Sequence, residues 1–202
     1  MILPILQYGT PVLRAKGKRI EKIDDHIRTL AANMVETMHA ANGVGLAAQQ
    51  VGEALQLTVV DISRVEDRPS TMKLDGQDVD PKTPMPLILI NPEIKSAGEI
   101  EIGTEGCLSF PEITGAIGRA KSIIVRAQTL EGGKVEIEAS GLLARVVQHE
   151  VDHLNGILFI DRMNSAAKAA LSSRLKRMQK EARRGQRMRA NEQPSLVSET
   201  TL

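Results

Sequence analysis

The chain has 202 residues, long enough for one domain with a full core, and its 42% hydrophobic content suits a globular protein. A formal net charge of +1 excludes a molecule that coats polyanions over its whole surface, and 1% aromatics without Trp exclude base-stacking platforms. The single Cys107 excludes an internal disulfide, and no apolar run nears the roughly 18 residues of a bilayer span. With no leader-like N-terminus, the expectation is a cytoplasmic protein with no membrane partner.

Residues 1–23 carry Pro4, Gly9, Pro11 and Gly17 and read as extended and turn-rich. Ile27, Leu30, Ala31, Met34, Met38 and Ala41 then recur at spacings of three and four, which predicts an amphipathic helix from Asp24 or Asp25 to a stop at Gly43. His26 and His39 on this helix have no partner at ligand spacing and read as ordinary residues. Next comes G-V-G-L-A-A-Q-Q, Gly43 to Gln50. Its small residues allow close backbone approach, either to a substrate, with Gln50 offering an amide, or to the sheet in a tight turn. The G-K-[ST] of a phosphate loop is absent.

Leu55 to Ile62 alternates as a strand does, and 63–84 reads as a polar surface loop punctuated by Pro69, Gly76, Pro81 and Pro84. A short strand is expected from Leu87 to Ile90, ended by Asn91-Pro92, and another over 99–104. Lys121 to Leu130 and Lys134 to Ala139 predict a hairpin across Glu131-Gly132-Gly133. Between the strands lies E-G-C-L-S, Glu105 to Ser109. Cys107 in it reads either as a small buried hydrophobe or as a reactive thiol after a strand.

After the hairpin, Q-H-E-V-D-H contains H-E-x-x-H. On a helix each residue turns about 100°, so His149 and His153 share a face and can each give one nitrogen to one metal ion. Glu150 lies about a third of a turn away, within reach of a water on that metal. Ser140 is the expected N-cap and Asn155-Gly156 the expected stop. Leu142, Val146, His149 and His153 fall on one stripe facing the core. Two core histidines and a glutamate on that stripe would cost several kcal/mol unless paired, roughly as for other buried polar groups. A catalytic metal site takes three protein ligands and leaves one position for water, and Cys107 is the available third ligand. Arg145 reads as a solvated side chain, while Asp152 is expected to form a structural pair with Arg119 or Arg145. Residues 165–190, with nine Lys or Arg against Glu181 alone, predict a basic helix projecting from the domain, and 191–202 read as a disordered tail.

Three motifs in this order, G-V-G-L-A-A-Q-Q, E-G-C-L-S and Q-H-E-V-D-H-L-N-G, together with the opening G-T-P-V-L-R, make residues 1–165 resemble the peptide deformylases. These enzymes remove the N-formyl group from the initiating methionine of new polypeptides. The resemblance implies an α+β fold, with antiparallel sheets packed around a central metal-binding helix and a C-terminal helix. It implies a catalytic domain over 1–164 and Cys107, His149 and His153 as metal ligands. Glu150 is then the acid/base that activates a metal-bound water, and Gln50 and the Leu108 N–H are oxyanion donors. Fe(II) is the metal it implies in the cell, with zinc, nickel or cobalt able to occupy the site. Nascent formyl-methionyl peptides are the implied substrates, and ribosomal RNA an implied partner of the basic helix. An apolar pocket near Val44, Gly45, Leu142 and Val146 is expected to receive the methionine side chain. Two other readings compete. A zinc endopeptidase leaves E-G-C-L-S and the Gly-rich loop unexplained, and an RNA-binding module with a structural metal would need a fourth ligand.

Overall fold

The computed structural model describes residues 1–192, so 193–202 of the expected tail lie outside the described residues. Asp24 caps the first helix, α1 (Asp25–Ala40), its Oδ1 accepting the Ile27 N–H at 3.1 Å. The stop differs by one residue from expectation. Asn42, at φ 52°, takes the left-handed position, and the Gly43 N–H closes on Met38 O at 2.9 Å.

Seven antiparallel strands form one curled sheet: β1 (Gly45–Ala47), β2 (Leu57–Val60), β3 (Ser70–Leu74), β4 (Gln77–Val79), β5 (Leu87–Gly106), β6 (Thr114–Gln128) and β7 (Lys134–Ser140). Their order is β1-β2-β5-β6-β7-β3-β4. The expected break at Asn91-Pro92 is not an end. The two short strands are one twenty-residue strand, with register shifts at Ile90/Glu93 and Ala97/Ile100. Pro92 cannot donate to a ladder, so the chain bulges there. The Asn91 amide replaces the lost pairing: it bonds the N–H and C=O of Ile20 at 2.9 and 2.8 Å.

The expected loop over 63–84 is also corrected. It contains the β3–β4 hairpin, turned by Asp75 (φ 48°) and Gly76 (φ 82°), the tight-turn pair that matches strand twist. β3 docks on β7 and extends the sheet.

The sheet wraps the central helix α2 (Gly141–Leu154), so the fold is α+β with antiparallel strands around that helix. Leu143, Val147, Ile123, Val125 and Ile137 form the core between them, and α1 closes the far side against β1 and β2 through Met34, Met38, Leu46 and Leu57. α2 is buried on every face rather than along one stripe, Arg145 and Asp152 included. Ser140 stands at its N-cap, but the hydroxyl pairs with Thr71 Oγ1 at 2.6 Å instead of capping. The first-turn N–H groups of Leu142 and Leu143 go to Pro69 O (3.3 Å) and Ser70 Oγ (3.0 Å).

The basic C-terminal segment is two helices, α3 (Ser165–Ala170) and α4 (Ser172–Glu192), and the latter takes in Asn191 and Glu192 of the expected tail. Its first half packs on the body rather than projecting. Leu175 is buried in the cluster of Phe110 and Phe159, Gln179 donates to the Tyr8 hydroxyl at 3.0 Å, and Arg174 bonds Glu112. Among the described residues, no helix is long and apolar enough to cross a membrane.

Candidate active site

β5 ends at Gly106, and the turn after it delivers Cys107 to the C-terminal half of α2. One nitrogen each from His149 and His153 and the Cys107 Sγ all lie within 4.8 Å of one another. Cys107 Sγ is 3.3 Å from His153 Nε2. Two ligands held 2.0–2.3 Å from one ion at a tetrahedral angle stand about 3.5 Å apart, so the spacing suits a shared cation. The donor set, one thiol and two imidazoles, is one that divalent transition metals accept.

Glu150, on the same helix, has an Oε2 that is buried with no hydrogen-bond partner. A fourth protein ligand at hand would close such a site. Here the cluster that fits an ion is three residues, beside an unpartnered carboxylate. Gly45 is what admits Glu150. A Cβ there would lie 2.8 Å from the Glu150 Cδ, so only glycine lets β1 pass.

The fields around these groups are uneven. Burial alone would lower the His149 pKa, but hydrogen bonds to Cys107 and Glu105 raise it to about 10. The surrounding anions thus hold positive charge at this point, which is also what a cation requires. Burial holds His153 well below its ordinary value, and the charge on His149 adds to the effect. Burial pushes Glu150 up to about 7 against the opposing charges of His149 and Arg119. A carboxyl poised near neutrality can both take and return a proton.

Glu105 was given no role by the sequence, and the structure puts it beneath the site. Its Oε2 meets His149 Nδ1 at 3.0 Å, which turns the other ring nitrogen toward Cys107. Arg119 Nε and Nη2 donate to it at 2.9 Å each, as does Arg145 Nη1 at 2.9 Å. Burial would raise the Glu105 pKa, but bonds from His149 and Arg119 hold it well below the usual carboxylate range. Arg119 continues to Asp152, which also takes Arg162 Nη2 at 2.5 Å. The Asp152–Arg119 pairing therefore exists, whereas Arg145, expected in solvent, is a buried partner of Glu105.

Over Cys107 and His149 opens a cavity of about 570 Å³. Val44, Gly45, Leu142 and Val146 line it, as do Gln50, Leu108, His149 and Glu150. Gln50 is held at both ends. Its Oε1 accepts the Ala47 N–H at 2.9 Å, and its Nε2 faces Ser109 Oγ (3.2 Å) and Cys107 Sγ (3.6 Å). The amide N–H is thereby fixed toward the site. Leu108 is anchored through its carbonyl, which accepts from Gln7 Nε2 at 3.3 Å.

The polypeptide deformylase family model matches residues 2–169. The chain belongs to the polypeptide deformylase family. A peptide deformylase of Opitutus terrae is 46% identical over 182 residues, covering 89% of this chain and 94% of that protein. One of Dictyoglomus thermophilum is 46% identical over 162 residues, covering 80% and 93%. The crystal structure of the Thermus thermophilus peptide deformylase superposes with a TM-score of 0.75 at 38% identity, covering 90% of this chain and 99% of that one. A Synechococcus elongatus peptide deformylase in complex with actinonin superposes at 0.71 with 38% identity, covering 85% of each. The family model spans every residue of the cluster and ends within α3, whereas the alignment to the Opitutus terrae protein, at 89% of this chain, extends into α4.

Proposed function

We propose that this chain is a metal-dependent hydrolase that removes the formyl group from the N-terminal formyl-methionine of newly made polypeptides, releasing formate. The observation that carries the reading is the meeting of Cys107, His149 and His153 beside the unpartnered carboxylate of Glu150, in a chain of the deformylase family. A divalent cation held by those three side chains, Fe(II) in the cell and zinc, nickel or cobalt as substitutes, supplies a Lewis acid that acidifies water and polarises a carbonyl.

The remaining work falls to side chains. Glu150 takes a proton from the attacking water as its oxygen bonds the formyl carbon. The C–N bond then breaks, and Glu150 passes the proton to the departing amine nitrogen. Charge on the former carbonyl oxygen is met by the Gln50 amide and the Leu108 N–H, each such donor being worth about 2.7–4 kcal/mol in other oxyanion holes. Val44, Gly45, Leu142 and Val146 receive the methionine side chain, excluding water from it. Residues 1–164 carry the chemistry in the cytoplasm. The exposed face of α4, with Lys176, Arg177, Lys180, Arg183 and Arg184, meets ribosomal RNA while the opposite face stays docked.

The test is formate release from formyl-Met-Ala by anaerobically prepared protein, with metal content measured on the same sample. Release in proportion to bound metal is expected. Cleavage of an unmodified peptide with none of the formylated one would overturn the reading in favour of an endopeptidase.

A further inference from the structure

Five charged side chains that line the cavity besides Arg68 are already accounted for. Glu105, Arg145, His149 and Glu150 are buried, and Glu112 is bridged to Arg174 at 2.8 Å. Arg68 is different. It is exposed, lines the cavity, and among the described residues has no ion-pair or hydrogen-bond partner. It comes from the 61–69 connection between β2 and β3, outside all the motifs that mark the catalytic centre.

Its position is fixed although its charge is free. The next residue, Pro69, accepts the Leu142 N–H, Ser70 Oγ accepts the Leu143 N–H at 3.0 Å, and Ser70 bridges Gly141. The backbone carrying Arg68 is therefore clamped to the first turn of α2, and its cation adds to the positive end of that helix. We propose that Arg68 is a specificity-determining residue that favours formyl-peptides bearing a carboxylate two or three residues after the formyl-methionine. This rests on the deformylase reading of the site.

The spacing supports it. Leu142, beside Arg68, and His149, at the reacting centre, are seven residues apart on α2, or about 10 Å along its axis. An extended peptide rises about 3.3 Å per residue, so about three residues span that length. A carboxylate there can come from an acidic side chain or from a chain end. Contact at an open mouth has the strength of an exposed ion pair, a preference of about two- to fivefold, and is screened by salt.

The experiment compares kcat/KM for formyl-Met-Ala-Asp, formyl-Met-Ala-Asn and formyl-Met-Ala-Lys, all as C-terminal amides, with formyl-Met-Ala-Ala as free acid and as amide. Wild type should prefer Asp over Asn over Lys through KM, with the order fading at high salt. R68A should abolish the preference and R68E should turn it toward Lys, while turnover of neutral formyl-Met-Ala amide stays unchanged in all three. A preference shown only by the free acid over its amide supports the same carboxylate contact and assigns it to chain ends. In wild type, equal rates for Asp and Lys together with equal rates for the free acid and its amide would overturn the proposal, as would an unchanged preference in R68E. No release from any formyl-peptide would instead refute the deformylase reading beneath it.

Discussion

Glu105→Gln isolates the support beneath the ligand candidates. Four contacts converge on this carboxylate: two from Arg119, one from Arg145 and one with His149 Nδ1. Charge-assisted bonds contribute about 1.5–3 kcal/mol each, but a plain sum overstates the loss. Arg119 keeps Asp152, and Arg145 keeps the carbonyls of Ile117 and Glu101 at 2.9 and 2.8 Å. The fitting scale is that of breaking one partner in a buried ionic cluster, about 3–5 kcal/mol. Glutamine keeps the shape yet points an NH₂ at a donor, so most of this cost remains. His149 also loses the acceptor that orients its ring, and such losses lower metal affinity about 10- to 100-fold. Urea unfolding with the metal removed reads the first quantity, and competition with a chelator reads the second. A variant with wild-type unfolding midpoint and wild-type metal affinity would refute the role given to Glu105.

Gly45→Ala should cut formate release by at least about tenfold, about 1.4 kcal/mol of barrier, with metal content unchanged, because the new methyl displaces Glu150; wild-type turnover would show that the approach of β1 does not set the carboxylate. Leu175→Ala should cost about 2–5 kcal/mol in urea unfolding, since Leu175 is 7% exposed and packs among Phe110 and Phe159. A loss under about 0.5 kcal/mol would mean that α4 is not docked. Asp161 offers a pH test. Burial would raise its pKa, but bonds from Arg14 and the Leu158 N–H hold it down to about 2, below the ordinary 3.8. A folded pKa below the unfolded one stabilises at pH values above the unfolded pKa and fades as pH falls through the folded one. Asp161→Asn should therefore lower Tm at pH 7, by about 1 kcal/mol of stability after solvent screening, with the gap to wild type closing between about pH 4 and 2. A gap independent of pH would contradict the ion pair's role.

What the sequence made legible was what repeats locally. H-E-x-x-H placed two imidazoles on one helical face without help from the rest of the chain, and the threes and fours from Ile27 to Met38 marked α1 nearly to its last residue. Cys107 needed its motif, since a lone cysteine after a strand has several readings. Glu105 was hidden although it stands two residues from Cys107. Its partners come from β6 and α2, 14 and 44 residues along the chain, and only the β5–β6 register brings them together. Arg145 reads as solvated from sequence because a charge on a helix ordinarily faces water, whereas α2 is enclosed on every side. Asp75-Gly76 was a readable hairpin signal. It was masked by strands of mostly polar residues, of which Met72 alone is buried. Asn91-Pro92 reads as an end because proline cannot pair, yet the Asn91 amide pairs with Ile20 and lets the strand continue.

The central claim concerns one cation and three side chains. X-ray absorption on zinc-reconstituted protein tests it directly. One metal per chain is expected, with one sulfur at about 2.3 Å and two imidazole nitrogens at about 2.0 Å in its shell, the sulfur vanishing in Cys107→Ala. A shell without sulfur in the wild-type protein, or one unchanged by that substitution, would contradict it.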